Sequence, residues 1–186
     1  DVDIQNGQAT IAVEAVQRGQ NIHRQGIDRR DGARIVAAGR RIGAPEIGVA
    51  ATVGKHQLRV AAFPPAVIIS TGDELVDVHE QPLPYQIRKS NVHRLRATLR
   101  RWGIRADIAH LADEETEIRE TLSQLLESHR ILIMSGGVSK GKFDFLPGAL
   151  EALGVRKLFH RIRQRPGKPF WFGTAPNGAL VFALPG

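Results

Sequence analysis

The chain has 186 residues, no cysteine and a formal net charge of +7, and only 5% of its residues are aromatic. This length predicts one domain with a smaller companion. The absence of cysteine excludes disulfides and thiolate metal sites, and it allows a reducing compartment. No stretch approaches the roughly 18 apolar residues of a membrane span, and no signal-peptide pattern begins the sequence. We therefore expect a soluble, cytoplasmic protein with no membrane partner.

The excess positive charge favours anionic partners, which include nucleic acids and phosphorylated small molecules. No run of lysine and arginine alternates with stacking rings, so nucleic acid is the weaker prediction and we expect no nucleic-acid partner. The plain alternative is that the arginines form a solvated surface.

Two regions differ in their pattern. Residues 1–62 are rich in glycine and predict a small β-rich module with a short helix at 45–52 and β-like segments at 10–16, 33–37 and 58–61. Phe63-Pro64-Pro65 indicates a linker, because consecutive prolines resist both helix and ladder. Residues 63–186 form the second predicted domain.

In the second domain, apolar strands alternate with amphipathic helices, as in βαβ units. Strands are predicted at 66–70, 104–111, 131–134, 159–163, 170–173 and 179–183, and helices at 91–102, 113–128 and 144–153. This order predicts an α/β fold with a doubly wound, mostly parallel sheet and helices on both faces.

Ligands of such sheets bind beyond the carboxyl ends of the strands. Three predicted loops lie there, at 70–74, 111–113 and 135–144. The first loop supplies Thr71, Gly72 and Asp73 as candidate ligand contacts. The third loop has three glycines, two serines and two lysines, a composition typical of anion binding through exposed main-chain N–H groups.

Each of the three loops also carries a carboxylate: Glu74 beside Asp73, Asp113, and Asp144. Carboxylates beside a phosphate-binding loop repel one another unless they share a divalent cation, so Mg²⁺ is expected at this edge of the sheet. Each residue also has a structural alternative: Asp113 and Asp144 as helix caps, Glu74 as a first-turn residue. Four histidines lack ligand spacing and are interpreted as surface or packing residues: His79, His93, His110 and His129.

A second basic segment is Arg165-Pro166-Gly167-Lys168-Pro169. The prolines stiffen this loop, so Arg165 and Lys168 lose little entropy when they bind an anion. The alternative is a basic surface turn.

These motifs together carry a family resemblance. The segments 70–75, 135–144, 165–169 and the terminal Leu184-Pro185-Gly186, together with 18–23, 26–28, 39–42 and 45–48, resemble the molybdopterin molybdenumtransferases, the MoeA and gephyrin E-domain family. The likeness covers nearly the whole chain.

The resemblance implies an enzyme of molybdenum cofactor biosynthesis, which inserts molybdate into adenylylated molybdopterin and releases AMP. Glu74, Asp113 and Asp144 match the family's acidic active-site positions, which would hold the Mg²⁺ or assist hydrolysis. Ser135, Gly136, Gly137 and Ser139 would hold the phosphate of the pterin nucleotide. Arg165 and Lys168 match the molybdate loop, where Arg165 replaces the more usual lysine and changes the geometry of the donors.

The resemblance also implies a homodimer. Family members continue past Leu-Pro-Gly and begin earlier, so we expect a central fragment of a longer protein. The alternatives are the related molybdopterin adenylyltransferase, whose glycine loop resembles Gly-Gly-Thr-Gly, and a molybdopterin-binding or scaffold module without catalysis.

Overall fold

The computed structural model describes residues 2–11, 17–137 and 145–185. The chain divides into two compact units, Asp1–Val60 and Ala61–Gly186. The described strands are β1 (Val2–Gln5), β2 (Gln8–Ile11), β3 (Ala66–Thr71), β4 (Leu75–Val76), β5 (Ile87–Arg88), β6 (Ala106–Leu111), β7 (Ile131–Ser135), β8 (Arg156–His160), β9 (Trp171–Thr174) and β10 (Leu180–Leu184). The described helices are α1 (Ala44–Thr52), α2 (Asn91–Arg101), α3 (Glu115–Ser128) and α4 (Leu146–Ala152). Within these ranges, no helix has the length and apolar character needed to cross a membrane.

The first unit contains a hairpin and one helix. β1 and β2 pair antiparallel around Asn6 and Gly7, whose φ angles of 52° and 79° suit a tight two-residue turn. Helix α1 has proline in its first turn and corresponds to the helix predicted at 45–52. The Glu46 carboxylate accepts hydrogen bonds from Arg40 Nε at 2.6 Å and Gly43 N at 2.9 Å. These bonds lower the pKa of Glu46, the Arg40 bond most.

The β-like segments predicted for this unit are largely wrong. Residues 33–37 and 58–61 are not in strands. The first of these segments lies between Gly32 and Gly39, which have φ angles of 77° and 82° and turn the chain away from an extended path. Of the segment at 10–16, β2 includes residues 10 and 11, and residues 12–16 lie outside the described ranges.

The second unit is built on a six-stranded sheet with the order β6-β3-β7-β10-β9-β8. β3 pairs parallel with β6 and β7, and β10 pairs parallel with β7. β9 runs antiparallel to both of its neighbours, β10 and β8. The predicted α/β fold with a mostly parallel sheet is therefore confirmed.

Helices cover both faces of this sheet. Every residue of β3 is buried. Val67 and Ile69 belong to the larger core cluster, with apolar residues of α3 and α4, whereas Ala66 and Ile68 pack with Val92 of α2. Since successive side chains of a strand point to opposite faces, a strand that is buried on both faces, as β3 is, requires both coverings.

Among the strands predicted for the second domain, β8 differs most from its predicted range. β8 begins and ends three residues earlier than the predicted range of 159–163. Arg161 has a φ of 64°, a left-handed conformation that ends the extended ladder directly after His160. Apolar alternation in the sequence does not reveal such a backbone reversal.

The start of the glycine loop gives the first prediction. Gly137 and Gly178 have φ angles of 70° and 84°, so alanine is strained at either position. A Cβ on Gly137 would also lie 2.1 Å from Cδ1 of the buried Leu146, whereas Gly178 has open space. Chemical denaturation should show that Gly137→Ala lowers the free energy of unfolding by roughly 1–3 kcal/mol more than Gly178→Ala. Equal losses for the two variants would contradict the close packing at Gly137.

Candidate anion-binding site

The carboxyl ends of the parallel strands meet at one edge of the sheet. Ser70 of β3 lies opposite His110 of β6 and Ser135 of β7, and Ser135 lies opposite Leu184 of β10. After β3 the chain passes to β6 on one side and then to β7 on the other. The crevice between β3 and β7 is therefore the topological switch point, the usual ligand position in such sheets.

Hydrogen bonds tie the first of the three loops to the second. The Gly72 N–H donates to the Leu111 carbonyl at 3.3 Å. The Asp113 N–H donates to Asp73 Oδ1 at 3.0 Å. These two bonds bring Asp73 and Asp113 together, as expected for loops at one edge.

The first loop also packs on the beginning of the third. A Cβ placed on Gly136 or on Gly137 would lie 3.0 Å from Thr71 Oγ1. The Gly136 N–H donates to the Leu184 carbonyl at 3.1 Å, which holds the glycine backbone at the end of β10. Glycine at these positions allows the close approach of the backbone to the Thr71 hydroxyl.

The Glu74 carboxylate folds back over the same loop. A Cβ on Gly72 would lie 2.3 Å from Glu74 Oε2, and Gly72 has a φ of 119°, so glycine is required there. Glu74 directly precedes the short strand β4 and does not begin a helix. The alternative that Glu74 is a first-turn helix residue is therefore wrong.

Asp113 is not a helix cap either. α3 begins at Glu115, and the Glu114 carboxylate at the N-cap accepts hydrogen bonds from the N–H groups of Thr116 and Glu117. The predicted capping role of Asp113 is wrong because its neighbour performs it. Burial raises the pKa of Asp113, and the nearby charges of Asp73 and Glu74 raise it further.

A cavity of about 140 Å³ lies at the crevice. It is lined by the ends of β3 and β7, by Glu74, and by the residues from β5 to the beginning of α2. Thr71 and Ser135 line it and are each only 6% exposed. The arrangement offers buried hydroxyls, main-chain groups and a carboxylate to one ligand.

Two residues near this crevice were not identified from the sequence. Lys89 lines the cavity, with a side chain that is 11% exposed. His110, interpreted from the sequence as a surface or packing residue, has Nδ1 at 3.0 Å from Ser70 Oγ. Burial lowers the pKa of His110, and the charge of Lys89 lowers it further. Strand register could have indicated His110, since it lies opposite Ser70, but only after the pairing of β3 and β6 was known.

The second basic segment lies at the same edge of the sheet. It connects β8 to β9, and Trp171 at the start of β9 lies opposite Ala183 near the end of β10. β9 is two strands from β7, which corresponds to roughly 10 Å across the sheet. Arg165 and Lys168 are exposed and do not line the described cavity.

The remaining candidates concern the metal. Ser139 and Asp144 lie outside the described residues. In the described ranges, no three His, Asp or Glu side chains are grouped so that they could hold a metal ion. Glu74 and Asp113 therefore provide at most two carboxylates, and a cation site would need a third from elsewhere.

The fold and the edge crevice define an α/β domain with a cavity at the topological switch point of its sheet. Comparison with known proteins narrows this class, because residues 67–186 match the family model described as "Probable molybdopterin binding domain". The chain belongs to this family of molybdopterin-binding domains.

Individual relatives agree with this assignment. The chain is 37% identical over 170 residues to a molybdopterin molybdenumtransferase of Synechocystis sp., covering 90% of this chain and 44% of that protein. It is 39% identical over 190 residues to the enzyme of that name from Synechococcus elongatus, covering 99% and 47%. A molybdopterin biosynthesis MoeA protein from Pyrococcus horikosii superposes with a TM-score of 0.74 at 27% identity, covering 100% of this chain and 46% of that one. The resemblance drawn from the motifs is confirmed, and the chain spans about half the length of the curated relatives it matches.

Two adjacent acids should respond differently to substitution. Because the pKa of Asp113 is raised in the folded state, its charge destabilises the fold above that pKa, and this effect disappears below the ordinary aspartate value of 3.8. Thermal melts should therefore show a higher Tm for Asp113→Asn at pH 7 and a shrinking gain as the solution is acidified. Glu114→Ala should lower the Tm at pH 7 because α3 loses its cap. A loss of stability on replacing Asp113 would contradict this assignment.

The effects of neighbouring charges on the pKa of His110 can be measured by NMR. Lys89 lowers the pKa of His110 and Asp77 raises it. A proton titration of the imidazole should therefore give a raised pKa in Lys89→Gln and a lowered pKa in Asp77→Asn. Lys157→Gln, at an exposed position on β8, should leave the titration unchanged. An unaltered His110 in the first two variants would place Lys89 away from the crevice.

Proposed function

We propose that this chain is the molybdopterin-binding part of a molybdopterin molybdenumtransferase. It would accept adenylylated molybdopterin and molybdate, release AMP and yield the molybdenum cofactor. The observation that carries the proposal is the meeting of two loops with the first residues of a third, 135–137, at one edge of the sheet. There Thr71, Ser135 and a glycine backbone lie near the carboxylates of Asp73, Glu74 and Asp113. The cytoplasm as its location, and a homodimer in the whole protein, are part of the same proposal.

Different residues of the site have different proposed roles, according to their chemistry. Thr71, Ser135 and the backbone of Gly136 and Gly137 would bind the phosphate of the pterin nucleotide, with Gly72, Asp73 and Ser139 beside them. Hydrolysis of the phosphoanhydride bond needs a group that accepts a proton from the attacking water. Glu74, Asp113 and Asp144 are the acids proposed for this task or for holding a cation, because a carboxylate that coordinates a cation does not act as the base at the same time.

Mg²⁺ is proposed as the cofactor, with its ligands drawn from Glu74, Asp113 and Asp144. When bound, it would offset the negative charge of the carboxylates and of the phosphates. The raised pKa of Asp113 beside Asp73 and Glu74 fits a site that a cation would relieve. The fit depends on Asp144, because the described residues alone do not complete a metal site.

The proposal is tested by titrating the purified chain with adenylylated molybdopterin and measuring AMP release after molybdate is added. Binding followed by molybdate-dependent AMP release is the expected result. Binding without release would favour a molybdopterin-binding module, and absence of binding would contradict the proposal. Asp144→Asn should weaken Mg²⁺-dependent release more than binding, because the loop amides remain; equal losses would remove Asp144 from the cation site.

Molybdate is assigned to the loop of Arg165 and Lys168. Lys168→Ala should raise the molybdate concentration for half-maximal AMP release about tenfold, because one charged hydrogen-bond donor is lost. The matched control is Lys157→Ala, an exposed lysine on β8. An unchanged molybdate requirement in Lys168→Ala would remove this residue from the oxyanion site.

A further inference from the structure

Lys89 brings a positive charge into the wall of the crevice cavity, and the backbone fixes its position. Its N–H donates to the Val76 carbonyl at 2.9 Å, and the Ile87 N–H donates to the Glu74 carbonyl at 2.8 Å. These hydrogen bonds belong to the short parallel pairing of β4 with β5. Lys89 is therefore held in a set position relative to Glu74.

The charge of Lys89 is only partly compensated within the protein. Its Nζ lies 3.4 Å from Asp77 Oδ1, and the Asp77 side chain is 50% exposed while that of Lys89 is 11% exposed. Close charged hydrogen bonds of this kind usually measure about 2.7–2.9 Å. An ammonium group carries three donors, and one that is largely removed from water needs acceptors. The cavity beside Lys89 can therefore receive an anionic acceptor.

Two residues with hydroxyl side chains line the same cavity. They are Thr71 and Ser135, and each residue is 6% exposed. Asn91, the first residue of α2, lines the cavity as well, and the first N–H groups of a helix lack partners within the helix. All of these groups can donate to an oxyanion.

The size of the cavity and the charges around it restrict the kind of ligand that it can bind. The cavity of about 140 Å³ is smaller than the roughly 300–1,000 Å³ of pockets that enclose a drug-sized molecule, so it suits a phosphate-sized group. The neighbouring carboxylates of Asp73, Glu74 and Asp113 would repel an anion on their own. Lys89 offsets that repulsion at the cavity wall.

We propose that Lys89 binds a tetrahedral oxyanion in the crevice, together with the hydroxyls of Thr71 and Ser135, and that this ligand replaces Asp77 as its partner. The phosphate of a phosphorylated ligand and molybdate share this chemistry. The inference rests on the proposed function in one respect, that the crevice is the ligand site. It assigns to Lys89 a role beyond the residues named for that function.

The test is calorimetric titration of the whole chain with inorganic phosphate, AMP and molybdate in separate experiments. Lys89→Gln should weaken binding of the preferred oxyanion about tenfold, and Lys89→Arg should largely restore it, because the charge is kept. Asp77→Asn should tighten binding several-fold, because the competing carboxylate is removed. Lys157→Gln is the control and should bind as the unaltered chain does. Preference for AMP and phosphate over molybdate identifies a phosphate subsite, and the reverse identifies a molybdate subsite.

The opposite effects expected for Lys89→Gln and Asp77→Asn distinguish a role of Lys89 in ligand binding from a purely structural ion pair with Asp77. If the pair only supports the fold, both substitutions lower the Tm and neither tightens binding, which overturns the proposal. Failure of the unaltered chain to bind any of the three oxyanions overturns it as well. If Lys89→Gln fails to fold, the Asp77→Asn titration still decides. If Lys89→Gln binds adenylylated molybdopterin as the unaltered chain does, this inference is contradicted and the proposed function is not. If phosphate binding depends on Lys89 but the chain does not bind the pterin, the proposed function is contradicted and this inference is not.

Discussion

The parallel pairing of β3 with both β6 and β7 is the constraint on which the site depends. It brings the ends of three strands to one level, with Ser70 opposite His110 and Ser135. Loops that are 40 residues apart in sequence are thereby joined by the hydrogen bond from the Asp113 N–H to Asp73. The apolar side chains of β3 maintain this pairing, because its two faces are buried under different helices. The chemistry at the edge therefore follows from packing in the core.

The electrostatics of the edge are organised around opposite charges at short range. Burial raises the pKa of Asp113, and the nearby carboxylates of Asp73 and Glu74 raise it further. Lys89 lines the crevice cavity and lowers the pKa of His110, after the larger effect of burial. Such an arrangement costs stability and is typical of binding and catalytic sites. With Lys89 at its wall, the crevice can accept an anionic ligand although carboxylates lie beside it.

Much of the fold follows from the sequence, because long apolar strands and amphipathic helices have clear periods. Ala66–Thr71, Asn91–Arg101 and Ile131–Ser135 agree closely with the predicted elements. The short, exposed segments of the first unit were misjudged, since their glycine turns determine the path more than β propensity does. Asp113 and Glu114 are adjacent acids, and only the coordinates separate the cap from the site residue. Lys89 carries no motif, and its position depends on the pairing of β4 with β5.

The central claim is that the carboxyl edge of the parallel sheet binds the phosphorylated pterin. Amide chemical-shift mapping by NMR, with adenylylated molybdopterin added to the isotope-labelled chain, tests it most directly. The largest shifts are expected at Thr71, Gly72 and Gly136, and the amides of Ala66 and Ala106 at the opposite edge should be unchanged. Largest shifts at the opposite edge, or saturable binding that leaves the crevice amides unmoved, would contradict it.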